Sequence, residues 1–501
     1  MKGYLVFVVT LALVSVSSAY GQDRNLRIVV PQEPPELEIC SMGSSAPARV
    51  LFGNVGEGLT QRDPVSGAVL PLLALEWKQT SPTSWVFKLR EGVTFHDGSP
   101  FNAETAVTSF VRTFKKELSC ASATQAFGSL GVSAKALGPY EIELTTTQPD
   151  PILPLRISFV GMTGPKTDPN SRTNQPVGTG PYQVTKWQRG TDLVLQPFKN
   201  YWGKSGAADR VTYIFRSEDL VRAEMIGTGE ADIAVGLPAE FAKMKYAVSY
   251  PVPETTGLRF HMQSPPFNDR RVREAVVYAL DREGLIAAIW NGVGKSAGQP
   301  ITEDVLGFNP DIKPAPYDPK RAKQLIAEAK AAGVAVNTPS KIFTRLDVLD
   351  NADLLAQAIA QQLNDIGMNV SVEVMEAAPW IDLLRIHPKD RPGFLLEPHN
   401  NLLGDASWTA NSKYHSKAGR SQNRGETAAV ADAMIEKAGA ATGEERRRLY
   451  RELMTYLSQE VMTDAFIAYT NAVLLVGPKV SYTPNTMSND IVRVSEVTFR
   501  K

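Results

Sequence analysis

The sequence predicts an α/β fold of two lobes with an insertion in the first, and three observations predict it. Segments of strand period alternate with segments of helical period along the whole chain of 501 residues. Beyond the first 21 residues some 480 remain, more than one hydrophobic core ordinarily holds. After its first twenty residues the chain has no apolar run long enough to cross a membrane.

The beginning reads as an export signal spanning residues 1–21. Lys2 supplies a basic start, residues 5–16 an apolar run of signal length, and Ser17, Ala19 and Gly21 small residues for cleavage after Ala19 or Gly21. The alternative is an uncleaved N-terminal anchor. "NLRIVVP" follows as a short buried strand, and a helical or irregular segment covers "ARVLFGNVGEGLTQ". "TSWVFKLREGVTF" alternates, with Trp85, Phe87 and Leu89 on one face. Asn102 caps a helix whose apolar face is Ala106, Val107, Phe110, Val111 and Phe114.

Downstream, Tyr182, Val184, Leu193 and Leu195 mark a strand–turn–strand unit around Arg189-Gly190. "DRVTYIFRSEDLVRAEMIGTGEADIAVGLP" reads strand–helix–strand. Val272, Ala275, Val276, Ala279 and Leu280 form a helical core face. Asp318 caps the next helix, Pro319 occupies its first turn and Gly333 ends it. A helix closing at Gly367 leads to a strand with Val370, Val372 and Val374 on one side. A helix-rich stretch at 426–460 precedes a last strand-like run at 471–480.

Charge and motif content exclude several classes. The 53 basic residues balance 53 acidic ones, without a basic run, which argues against nucleic acid and against a polybasic membrane foot. The five histidines form no HExxH pair and no protein-built metal site. There is no GxSxG elbow. Gly294-Lys295-Ser296 imitates a phosphate loop, but Ile289 stands where that motif needs glycine. His96-Asp97 lies in a tight strand-to-helix connection with no nucleophile beside it, so it reads as a turn former. Cys40 and Cys120 are the two cysteines; in an exported chain they either form a disulfide closing about 80 residues or remain two thiols.

Four blocks, "WVFKLREGVTFHDGSPFNAETAVTSF", "PVGTGPYQVTKWQRGTDLVLQPFKNYWG", "PPFNDRRVREAVVYALDRE" and "YDPKRAKQLIAEA", together resemble the extracellular solute-binding proteins of family 5, which serve ABC importers of peptides, nickel complexes and related solutes. The resemblance implies a periplasmic binding protein-like fold with an extra inserted domain. Domain I would comprise 23–62, 178–264 and 476–501, domain II 63–177, and domain III 265–475. Solute would sit between domains I and III, away from His96.

In peptide-binding relatives an aspartate in a Gly-Asp-Pro context holds the ligand's amine. Here Asp405 follows Gly404, with Ala406 in place of the proline; its alternative role is a turn or cap. Trp408 would be an aromatic wall or core packing. His399, Asn400 and Asn401 would offer hydrogen bonds or lie in an exposed turn. Arg259 would clamp a ligand carboxylate or form a surface ion pair, with His261 near it, and the stretch from Cys40 to Ser44 would be the first cleft loop.

The function this implies is a periplasmic, monomeric binding protein. It would pass a short peptide or amino-acid-derived solute to a membrane permease and its ATPase, without cofactor and without bond chemistry. One alternative keeps the fold and binds a nickel or other metal chelate through His261 or His399. A secreted hydrolase with a carboxylate pair and a sensor subunit are the remaining readings.

Overall fold

The structure, a computed structural model, describes residues 24–42, 47–128, 130–346, 349–385, 393–418, 421, 426–486 and 491–500. The expected export signal lies outside the described residues. Among the described residues no helix is long and apolar enough to cross a membrane.

One mixed sheet of eleven strands organises the chain. Two long strands, Ala247–Phe260 and Asp464–Val476, run antiparallel through its middle. On one flank lie Gly393–Asn400, Ser340–Thr344 and Val370–Val374; on the other lie Ile233–Leu237, Asn25–Val30, Arg210–Phe215, Asp192–Pro197 and Tyr182–Gln188. The two long strands slip register between Pro251 and Thr255. Pro251 opens that slip and Pro253 lies within it, and proline cannot donate to a ladder, so the pairing is interrupted where the halves meet.

Each half has its own core. Leu258, Phe260, Val276, Leu325, Ile359 and Phe394 pack on the first flank. Leu26, Ile28, Leu51, Leu193, Val211 and Ile233 pack on the second. A separate four-stranded sheet, Ala74–Ser81, Ser84–Leu89, Glu141–Thr146 and Val132–Gly138, folds with the helix Ala103–Thr113 around Phe87, Phe95, Phe110 and Ile142.

Local signals explain the helix starts. Asn102 and Thr105 form a reciprocal capping box, and the Asp318 carboxylate accepts from Arg321 N at 2.9 Å. Three details differ from expectation. Val111 is 62% exposed, because the buried stripe runs through Ala106, Ser109, Phe110 and Thr113 instead. Val374, at the strand's end, is also exposed. The last long strand begins at Asp464 rather than 471, since residues 464–468 are buried on both faces and show no alternation.

His96-Asp97 shapes a turn. Asp97 accepts from Ser99 N and Ser99 Oγ, both at 2.9 Å. The His96 ring is threaded onto the 178–182 segment: Gly178 N donates to Nδ1 (3.3 Å), so the proton resides on Nε2 and is donated to the Gly180 carbonyl (2.9 Å). Burial lowers the affinity of this ring for a second proton. The glycines of "GTGPY" serve close approach, since a Cβ at Gly178 would lie 2.0 Å from the Val55 carbonyl oxygen.

Candidate functional site

A cavity of about 260 Å³ opens where distant stretches of chain converge: the turn after residue 52, residues 158–159, Tyr201 and Lys204, and Asn485 with residues 491–496. Leu402, which follows the strand Gly393–Asn400, adds a wall from the other half of the sheet. The cavity is smaller than pockets for drug-sized ligands, which fits a small guest.

Its apolar wall is an aromatic stack. Phe52 and Phe159 have ring centroids 5.7 Å apart, and Trp408 packs behind Phe159 at 6.1 Å. The Arg493 guanidinium lies 6.0 Å from the Phe52 ring centroid and 3.9 Å from Glu496.

The lining also includes Glu57, 3% exposed. Its carboxylate accepts from three neutral donors: Tyr201 OH (2.8 Å), Thr179 Oγ1 (2.9 Å) and Trp202 Nε1 (3.1 Å). Burial is the main influence and outweighs these bonds, pushing the carboxyl from the usual 4.5 up to about 7. An acid whose folded pKa is raised costs nothing below its unfolded value and destabilises as pH climbs through the folded one. Between pH 4.5 and 7 this group alone should therefore remove about 3 kcal/mol of stability. Urea denaturation across that range should show the slope in the native chain and its loss in Glu57→Gln; an unchanged slope would contradict the assignment.

Met42, in the stretch from Cys40 to Ser44 expected as a cleft loop, lines this cavity; Asp405, Trp408, Arg259, His261, His399 and Asn401 do not, and the chain itself engages them. Asp405, 1% exposed, is held by Arg446 through Nε–Oδ2 (2.9 Å) and Nη2–Oδ1 (2.7 Å), and it also caps Ser407 N (2.9 Å). Burial pushes its carboxyl up, but the Arg446 guanidinium wins and holds it below the usual 3.8. Its counter-charge in this structure is internal, and the capping role given as its alternative is observed at Ser407 N. Trp408 backs Phe159 rather than facing the cavity, so its packing role is the one observed.

Arg259 is a buried ion-pair member rather than part of a surface pair. It meets Glu397 and, at 3.8 Å, Asp464, which also takes Lys413 Nζ and Tyr414 OH at 2.9 Å each. His261, 2% exposed, stacks on Phe343 at 5.9 Å. His399 Nε2 lies 3.0 Å from Thr409 Oγ1. Asn401, for which an exposed turn is one of two readings, is 1% exposed; it donates to the Asp405 carbonyl and Thr409 Oγ1 and accepts from Gly404 N. Together Asn401, Asp405 and Thr409 brace the turn that presents Leu402 to the cavity.

Cys40 and Cys120 are bonded, with Cα atoms 5.3 Å apart. Beside them Glu38 takes both Arg112 Nη atoms (2.7 and 2.8 Å). This corner fixes the approach to Met42, a cavity residue. Sequence reasoning missed Glu57, Arg62, Phe159 and Leu402. The available signal was an acid between two glycines in an apolar run, "VGEGLT", and the adjacent aromatic pair Tyr201-Trp202.

The family model described as "Bacterial extracellular solute-binding proteins, family 5 Middle" matches residues 68–421. The dipeptide-binding protein of Escherichia coli (strain K12) is 27% identical over 293 residues, covering 52% of this chain and 55% of that protein. The match thus spans about half of that relative's length. Di/tripeptide-binding protein 1 of Pseudomonas aeruginosa (strain UCBPP-PA14) is 26% identical over 400 residues, 70% of this chain and 74% of that one. A periplasmic binding protein from Helicobacter pylori in complex with the peptide STSA superposes with TM-score 0.77 at 21% identity, covering 95% of this chain and 98% of that chain. A Campylobacter jejuni protein in complex with Ni(L-His) gives 0.74 at 20%, covering 92% and 95%. The periplasmic binding-protein fold expected from the sequence is the fold these structures share.

Proposed function

The chain belongs to the bacterial extracellular solute-binding proteins of family 5, and we propose that it captures a short peptide or amino-acid-derived solute in the cavity between Phe52, Phe159 and Leu402 and hands it to an ABC permease and its ATPase. The observation that carries this reading is the cavity itself. It is walled by loops of one half of the molecule and by residues of the inserted unit, with Leu402 reaching in from the other half, and the two halves are joined by two register-shifted strands. A guest held there is removed from water by apolar rings and met by fixed polar groups, which is what binding a small solute needs.

We propose the domain division given above: 23–62, 178–264 and 476–501 as one unit, 63–177 as the insertion and 265–475 as the other lobe. The relatives' names support a peptide-like guest. His261 and His399, the contacts on which a metal-chelate reading relied, are absent from the cavity lining. The protein works in the periplasm as a monomer and releases its guest unchanged.

The test is native mass spectrometry of protein purified without denaturation or chelator, with elemental analysis of the same sample and calorimetry of stripped protein against di- and tripeptides. The expected result is one organic guest per chain and saturable heat with a peptide. A stoichiometric metal would replace the peptide reading. No retained guest and no heat with any peptide would overturn it.

A further inference from the structure

Arg62 ends the short strand Thr60–Arg62, five residues after Glu57, and lines the cavity. It is 7% exposed. Its side chain crosses to the other half of the molecule, where Nη2 donates to the Asp304 carbonyl oxygen at 3.2 Å. Its guanidinium also lies against Gly404. A Cβ at Gly404 would stand 2.3 Å from Cζ, 2.4 Å from Nη2 and 2.5 Å from Nε. No side chain fits between them, and at φ +71 glycine is also the residue the backbone prefers there.

The surface Arg62 touches is one unit. Leu306 N donates to the Gly404 carbonyl and Ala406 N to the Leu306 carbonyl, both at 3.0 Å, so the segments around 304 and 404 are zipped together. Leu402, two residues from Gly404, faces the same cavity. Burial lowers the guanidinium's hold on its proton, and three acids, Asp304, Asp63 and Asp405, partly oppose that loss.

We propose that Arg62 is the positioning residue that couples the cavity to lobe contact: one side chain walls the solute and closes onto the Gly404 turn of the opposite half. The inference rests on the solute-capture reading for its consequence, but not for its geometry. A side chain shared between guest and far lobe makes occupancy and contact report on each other.

The experiment uses the full chain with spin labels at Leu220, on the helix Asp219–Thr228 of one lobe, and Leu354, on the helix Ala352–Asp365 of the other, both exposed, and a defined dipeptide set as the probe. Arg62→Ala should broaden and lengthen the label distance and speed dipeptide release by about tenfold or more. Arg62→Lys, which keeps charge without the planar fork, should do so partially. Gly404→Ala should give the same broadening, because its methyl occupies the guanidinium's place. The double variant Arg62→Ala, Gly404→Ala should be no broader than either single variant, because both remove the same contact, a non-additivity that independent destabilisation would not produce. Additive broadening, or unchanged distances in both single variants, would overturn the proposal. If the native chain binds no dipeptide, the capture reading falls, while the label distances still decide the Arg62 contact.

Discussion

Arg446→Ala should lower the stability of the protein by about 3–5 kcal/mol, the range for orphaning one partner of a buried ion pair. The side chains of Arg446 and Asp405 are each 2% exposed, so neither charge has water to fall back on. The loss extends beyond the pair. Arg446 Nη1 also donates to the carbonyls of Ala438 (3.0 Å), Gly439 (2.8 Å) and Ala441 (3.3 Å), the free end of the helix Glu426–Ala440. Alanine would leave a buried carboxylate and these carbonyls without that donor. Asp405→Asn should be milder, since Asn retains the cap on Ser407 N.

The pH dependence of this pair has the opposite sign to that of Glu57. The folded pKa of Asp405 is depressed, so its stabilisation is present above its unfolded value and lost as pH falls through the folded one. Urea denaturation at neutral pH and at about pH 3 should therefore show native and Asp405→Asn chains converging in acid. The result that sinks the assignment is a variant of native stability whose solute affinity collapses, for that is the behaviour of a carboxylate reserved for a ligand.

The case of Asp405 also shows what the sequence could and could not convey. "Gly-Asp" was legible as a pattern, yet its partner stands 41 residues away within "EERRRLY". Three consecutive arginines look alike in a string. Periodicity separates them: the helix Gly443–Thr455 buries Arg446, Leu449, Tyr450, Leu453 and Met454, so Arg446 occupies an apolar-stripe position, whereas the Arg447 and Arg448 side chains are 40% and 53% exposed. An arginine on a core stripe signals an internal anion, and that signal was present. The caps at Asn102 and Asp318 and the core face from Val272 to Leu280 were legible for a similar reason, because each is a local rule. The cavity was not legible. Its walls come from segments near 52, 158, 201, 402 and 491, and only the tertiary fold brings them together.

Replacing both Cys40 and Cys120 with serine should cost up to about 4.5 kcal/mol, from the loop-closure entropy of 80 residues restored to the unfolded chain. The chain-entropy figure is an upper value, because residual structure in the unfolded state shrinks it. The bond joins the turn Ile39–Ser41 to the start of the helix Ala121–Phe127, so it ties the segment after the first strand of the large sheet to the inserted unit. Glu38 and Arg112 make a second tie at the same corner, and Thr173 N adds a bond to Glu38 at 3.0 Å. These survive in the serine variant and should hold the corner in the native state. The loss should thus appear in denaturation midpoints more than in native geometry. Both sulfurs belong to residues at most 1% exposed, so reductant added to the folded protein should leave the bond intact until the chain opens. Urea titrations of native protein with reductant, native protein without it, and the serine variant should place the first near the third. A native midpoint indifferent to reductant would mean that this covalent tie does not constrain the unfolded chain as the loop-closure argument requires.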